Sequence, residues 1–345
     1  MFRTIENMKS ILVTGGAGFI GSNFINYFVP AYQDYHVINL DALTYAADLS
    51  SINDFENDKR YTFVEGSICD RILIESLFEK YDIRGVIHFA AESHVDNSIK
   101  NPEVFIQTNV NGTFNLIDVA YKNWMQKPFV FKEGYEQSCF LHVSTDEVYG
   151  TLGDEGLFTE KTPYAPNSPY SASKAASDML VRSYHHTYGM NTIITNCSNN
   201  YGPNQHDEKL IPTIIRKALA KQPIPIYGDG LNVRDWLYVL DHCKGIDIAF
   251  HKGKAGEVYN IGGRNERTNL QIVNTICDIL DQKEPQLSGE SYADLITFVE
   301  DRAGHDRRYA IDATKIETEL DWKAQENFDS GILKTIEKYL VKKNA

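Results

Sequence analysis

The chain has 345 residues, 42% hydrophobic and 23% charged, which suits a globular protein with one large core or two modest ones and argues against disorder. A formal net charge of -13 excludes a general nucleic-acid or membrane-surface binder, so an anionic ligand must be met by a local cluster of basic side chains and backbone amides. Five scattered cysteines without a CxxC pair, a polar start up to Lys9 and no apolar run of about 20 residues argue against a zinc module, a signal peptide and a membrane span, so a cytoplasmic protein without a metal is expected.

Short apolar, β-branched runs at residues 10–14, 36–40, 61–64, 86–90, 139–143 and 192–196 predict strands. Helical patterns fill residues 19–28, 71–80, 102–122 and 169–188 between them. Strands that read as continuous apolar runs and alternate with helices predict an α/β fold, a doubly wound parallel sheet of Rossmann type. After Tyr201 the regularity fades, and Pro203, Pro212, Pro223, Pro225, Gly228 and Gly230 punctuate shorter elements. The expected division is a cofactor-binding domain over residues 1–200, joined by about 234–260, and a smaller irregular substrate lobe within 201–345.

The first predicted strand runs into Gly15-Gly16-Ala17-Gly18-Phe19-Ile20-Gly21 and then a helix. Glycines there let the chain turn tightly, approach a pyrophosphate and pack helix on strand, while the helix N-terminus offers amides to the phosphates. Asp41 ends the next strand about 20 residues beyond Gly21, where a carboxylate binds ribose hydroxyls and repels a 2′-phosphate. The expected cofactor is therefore NAD.

Tyr170 and Lys174 lie four apart, after Ser168 as a helix cap and Pro169 as the first helical residue, with Gly189 at the far end. They should share one helical face, and an ammonium one turn away, together with a positive nicotinamide ring, would favour the phenolate as a base. A packed Tyr beside a solvated Lys reads the same way from spacing alone. Thr145, Asp146 and Glu147 follow the strand at 139–143, at the carboxyl end where open α/β sheets bind ligands. Neighbouring carboxyls can be driven to different pKa values, giving one proton donor and one base, which is what elimination of water requires.

Thr-Gly-Gly-Ala-Gly-Phe-Ile-Gly from Thr14, the Tyr170–Lys174 spacing and the Ser144-Thr145-Asp146 strand end resemble the extended short-chain dehydrogenase/reductase family. The segments 90–96, 144–150, 196–203 and 234–239 resemble its sugar-nucleotide dehydratases, and the likeness runs from about Lys9 to about Tyr339. It implies that Tyr170, with Thr145 and Lys174, oxidises C4 of dTDP-glucose while NAD takes the hydride. Glu147 would then remove the C5 proton and Asp146 protonate the departing C6 hydroxyl, before hydride returns to C6. It further implies NAD contacts from Gly15, Gly18, Phe19, Ile20, Gly21, Asp41, Thr44, Ser67, Ile68, Ala90, Ala91, Ser93, Thr108, Val143, Tyr170, Lys174 and Asn200.

The sugar nucleotide would be met by Ser93, Thr145, Asp146, Glu147, Asn199, Lys209, Leu210, Pro225, Ile226, Tyr227, Arg234, Asn269, Arg302 and His305, with Arg307 and Arg308 as further cations. Two positions depart from the family pattern: Ser67 stands where an Asp is usual, and Ala303 where a Pro is usual. The resemblance also implies a homodimer built on the helices at 102–122 and 169–188. A related dehydratase, a 4-epimerase of the same fold and a non-catalytic NAD-binding regulator are the alternatives. The acid pair argues against the last two.

Overall fold

The computed structural model describes residues 8–52, 55, 57–301 and 305–344. Seven parallel strands form the central sheet: β1 (Lys9–Thr14), β2 (Tyr35–Asp41), β3 (Tyr61–Glu65), β4 (Ile83–His88), β5 (Cys139–Thr145), β6 (Thr192–Cys197) and β7 (Val258–Ile261), in the order β7-β6-β5-β4-β1-β2-β3. Alternate strand residues feed two apolar layers. Ile11, Val13, Val37, Ile87, Leu141 and Ile193 face one side, with Phe24, Ile25 and Phe28 of helix α1 (Phe19–Ala31) and Cys243 and Ile246 of the helix Val239–Lys252. Leu12, Ile38, Val86, Phe140 and Ile194 face the other, with Leu77 of α2 (Arg71–Lys80), Leu116 and Trp124 of α3 (Thr113–Trp124) and Val181 of α4 (Pro169–Tyr188). Because both faces are covered, the strands carry apolar residues on both of their sides. Each fully buried Leu or Ile contributes about 1.5–3 kcal/mol.

Helix α4 starts and stops as its sequence dictates. Ser168 caps it in a capping box with Ser171, Pro169 takes the first turn, and Gly189 closes it at a φ of 71°. The expected helix over 102–122 is instead three pieces: Pro102–Phe105, a π-helical stretch Ile106–Gly112, and α3. The hydroxyls of Thr113 and Ser177 both donate to the Asn109 carbonyl at 2.6 Å, and the Asn109 side chain grips the backbone N–H and C=O of Glu92. Those side-chain bonds displace the regular ladder, and π-bulges commonly mark functional sites. The strand expected at 86–90 also ends sooner, at His88, because the amides of Phe89 and Ala90 turn to the Thr14 carbonyl and hydroxyl.

The strand Val258–Ile261, which the sequence reading did not anticipate, extends the sheet beyond β6. The remaining chain builds a second lobe. It contains a three-stranded sheet (Glu266–Thr268, Val233–Tyr238, Asn199–Tyr201) and a parallel pair (Ile224–Tyr227 with Ile296–Val299). The helices Leu210–Leu219, Asn269–Lys283 and Phe328–Asn344 cover a third apolar core that includes Ile214, Trp236, Ile276 and Phe328.

Candidate active site

The strand order reverses between β1 and β4, and the crevice beyond their carboxyl ends is where such sheets take ligands. Gly15 leaves β1 at a φ of 73°, and a Cβ there would lie 2.6 Å from the Ala90 amide nitrogen. At Gly21 a Cβ would lie 2.2 Å from the Gly15 carbonyl oxygen, so the turn and α1 pack too closely for any side chain. Helix α1 begins after Gly18 with no side-chain cap and no acidic residue in its first turn. Its first amides and its positive end are left for an anion. Asp41 accepts from the amides of Ala17 at 2.8 Å and Leu43 at 2.9 Å, which fixes its carboxylate at the end of β2.

A cavity of about 350 Å³ opens from this cradle. It is lined by every residue expected to meet NAD: Gly15, Gly18, Phe19, Ile20, Gly21, Asp41, Thr44, Ser67, Ile68, Ala90, Ala91, Ser93, Thr108, Val143, Tyr170, Lys174 and Asn200. A glycine turn with an uncapped helix end and a strand-end carboxylate fits a dinucleotide. Ser67 fills its departed position without disturbing it, its hydroxyl accepting from the Cys69 amide at 3.1 Å.

The same cavity holds Thr145, Asp146 and Glu147. Thr145 ends β5, and its hydroxyl accepts from the Glu147 amide at 3.3 Å, pinning the short turn that presents both acids. Asp146 is buried, and its Oδ2 has no hydrogen-bond partner. Burial, then the charges of Glu147 and Asp235, hold its carboxyl well above the usual carboxylate range, with Arg234 pulling the other way. The site therefore favours the protonated form of Asp146, the form that can donate to a leaving group.

Tyr170 is buried beside this pair. Burial, then the Glu147 charge, raise its phenol well above the ordinary value, while the Thr145 hydroxyl works in the opposite direction. Lys174 lies one turn along α4 from Tyr170. Its ammonium donates to the Val143 carbonyl at 2.9 Å and lies 3.3 Å from Nε2 of His142. Burial lowers the Lys174 amine to about 8, so it remains mostly charged at neutral pH.

Of the expected sugar-nucleotide contacts, Ser93, Asn199 and Lys209 line the cavity with the Thr145–Glu147 turn, and Lys209 Nζ donates to the Ser93 carbonyl at 3.2 Å. Leu210, Pro225, Ile226, Tyr227, Arg234, Asn269 and His305 lie outside the lining, in the second lobe. Ile226 turns its side chain into the third core, so it offers a ligand only its backbone, whereas Tyr227 is exposed. Arg234 stacks on Tyr309, 4.3 Å from the ring centre, and donates to the carbonyls of Val233 and Asp306. Asn269 opens the helix Asn269–Lys283, and His305 meets Asp301 at 2.6 Å. Arg307 pairs with Asp229 and Arg308 with Glu266. Arg302 and Ala303 lie outside the described residues.

Sequence reasoning missed Cys197, Ser198, Gln205, His206 and Glu208 in the lining. It also missed Tyr309, whose phenol is raised by burial and then by the charge of Glu147. The segment 205–208 carries no periodicity that could have flagged it. Among the described residues no group of His, Cys, Asp and Glu suits a metal.

The family model described as GDP-mannose 4,6 dehydratase matches residues 12–335, and the chain belongs to that family. Within it, the dTDP-glucose 4,6-dehydratase of Xanthomonas campestris pv. campestris (strain B100) is 53% identical over 333 residues, 96% of this chain and 93% of that protein. The crystal structure of dTDP-glucose 4,6-dehydratase from Bacillus anthracis in complex with NAD is 44% identical with a TM-score of 0.84, covering 97% of this chain and 98% of that one. The enzyme of that name from Streptomyces venezuelae, with NAD and TYD bound, is 42% identical with a TM-score of 0.87 and the same coverage.

Proposed function

We infer that the chain is an NAD-dependent hydro-lyase that converts dTDP-glucose to dTDP-4-keto-6-deoxyglucose. The observation that carries this reading is a buried acid, Asp146, whose carboxyl is held well above the usual carboxylate range beside Glu147 in the cavity that also contains Tyr170 and Lys174. Relatives at 51–54% identity over 96–97% of the chain bear that enzyme's name, which supports the thymidine nucleotide over other nucleobases and disfavours the epimerase. A non-catalytic sensor has no use for the acid pair.

The glycine turn, the open first turn of α1 and Asp41 would hold NAD, which supplies the hydride acceptor for C4 and the hydride donor for C6. Tyr170 takes the C4 hydroxyl proton, with Thr145 hydrogen-bonded to it and Lys174 one turn away. The 4-ketone acidifies C5, and Glu147 takes that proton. Asp146 gives its proton to the C6 hydroxyl, which leaves as water. Glu147 then returns its proton to C5, and the proton left on Tyr170 restores Asp146 through solvent. The net change is loss of one water. Such general acid–base steps each contribute about 10²–10⁴-fold.

Ser93, Asn199 and Lys209 would meet the sugar diphosphate nearest the reacting carbons. Arg234, Tyr227, Asn269 and His305 would meet the rest of the sugar nucleotide from the second lobe, where Arg234 already acts on Asp146. The homodimer is proposed on exposed Phe114 of α3, Met179 of α4 and Ile106, apolar residues at 42–49% exposure on adjoining helices. A cytoplasmic setting is supported by five free cysteines, four of them buried.

Substrate carrying deuterium at C4 tests the cycle. That deuterium should appear at C6 of the product. Deuterium retained at C4 with an inverted centre would make the chain an epimerase.

A further inference from the structure

Two buried titratable groups stand behind Lys174 without lining the cavity. His142 on β5 and Asp178, one turn beyond Lys174 on α4, are 1% and 0% exposed. His142 Nε2 lies 3.3 Å from Lys174 Nζ and 3.3 Å from Asp178 Oδ1. Asp178 Oδ2 accepts from the hydroxyls of Ser144 at 2.8 Å and Tyr164 at 3.0 Å. Asp178 Oδ1 and His142 Nδ1 have no hydrogen-bond partner.

We propose that Asp178, acting across His142, is a positioning residue that keeps Lys174 in its ammonium form and so sets the upper pH limit of the C4 oxidation. This rests on the reading of Tyr170 and Lys174 as the oxidising pair. A buried ammonium is costly unless an opposite charge answers it. The groups facing Lys174 are His142 and the Val143 carbonyl from β5, Cys197 from β6 and His88 from β4. Tyr170 and Asp178 face it from its own helix. Asp178 is the carboxylate among them, while the two imidazoles are held neutral by burial.

His142 Nε2 faces both groups, so the neutral ring makes at most one of the two bonds in either tautomer, and the Asp178 charge acts on Lys174 across it through space. Burial lowers Lys174 to about 8 and raises Asp178 to about 6, each opposed by the other's charge. Between those values both groups are ionised and the pair is complete. As pH rises through the Lys174 value the ammonium is lost, and with it the cation beside Tyr170.

Asp178→Asn keeps the shape and an acceptor for Ser144 and Tyr164 while removing the charge. The rate of NADH appearance in a single turnover, followed against pH, should lose its alkaline side about one pH unit lower in the variant, the least expected for a nearby opposite charge. The lysine Cε signal missing from Lys174→Arg, titrated by NMR in the purified protein, should move the same way. His142→Gln, which removes the intervening ring, should shift both readouts in the same direction. A uniformly lower rate with the alkaline side and the Lys174 titration unmoved in both variants makes Asp178 a structural residue and overturns the proposal. If the wild-type protein forms no NADH but the Lys174 titration still moves, the dehydratase reading fails and the coupling stands.

Discussion

At the residue scale, the division of labour between Asp146 and Glu147 rests on burial. Asp146 is 2% exposed and its second oxygen finds no partner, so desolvation of the charged form outweighs the opposing pull of Arg234 and Thr145. Asp146→Asn keeps the volume and removes the proton donor. Elimination should slow by about 10²–10⁴-fold, while oxidation at C4 is much less affected. NADH absorbance should therefore accumulate on the enzyme during a single turnover, and its absence with elimination intact would remove Asp146 from the role of acid. The sign of the pH dependence follows from the raised pKa. The acid form of Asp146 prevails below that raised value and is lost above it, so the elimination step should fail as pH rises through it.

At the element scale, the turn between β1 and α1 and the cap of α4 were legible because each depends on local chemistry. Gly15 needs a positive φ, Gly21 needs space, and Ser168-Pro169 pre-sets a helix start. Gly21→Ala should push α1 off the Gly15 carbonyl and lower the NAD content of purified protein, measured after acid release. Full NAD occupancy in that variant would contradict the close packing. Ser168→Ala should cost about 1 kcal/mol, read as a lower midpoint of urea unfolding. The π-helical stretch was not legible. It depends on Asn109 meeting Glu92, Ser173 and Ser177, partners on other elements that no periodicity reveals. Likewise His142 sits on a strand buried on both faces, where alternation carries no information, although Asp178 four residues after Lys174 was open to the same spacing argument as Tyr170.

At the scale of the molecule, the parallel sheet followed from the alternation of apolar runs and helices, and the cavity stands at the carboxyl ends of its strands, whereas the strand order that sets the switch point depends on pairings the pattern does not reveal. The second lobe was less legible because its strands are short and pair with distant segments, as Asn199–Tyr201 does with Val233–Tyr238. Phe114→Glu with Met179→Glu should convert a dimer into a monomer by light scattering after gel filtration. A wild-type protein that is already monomeric would dismiss the proposed interface. The central claim is tested most directly by incubating the purified protein separately with dTDP-glucose, UDP-glucose and CDP-glucose and measuring product mass. Loss of one water from dTDP-glucose alone is the expected result, and three unchanged masses would contradict the dehydratase assignment.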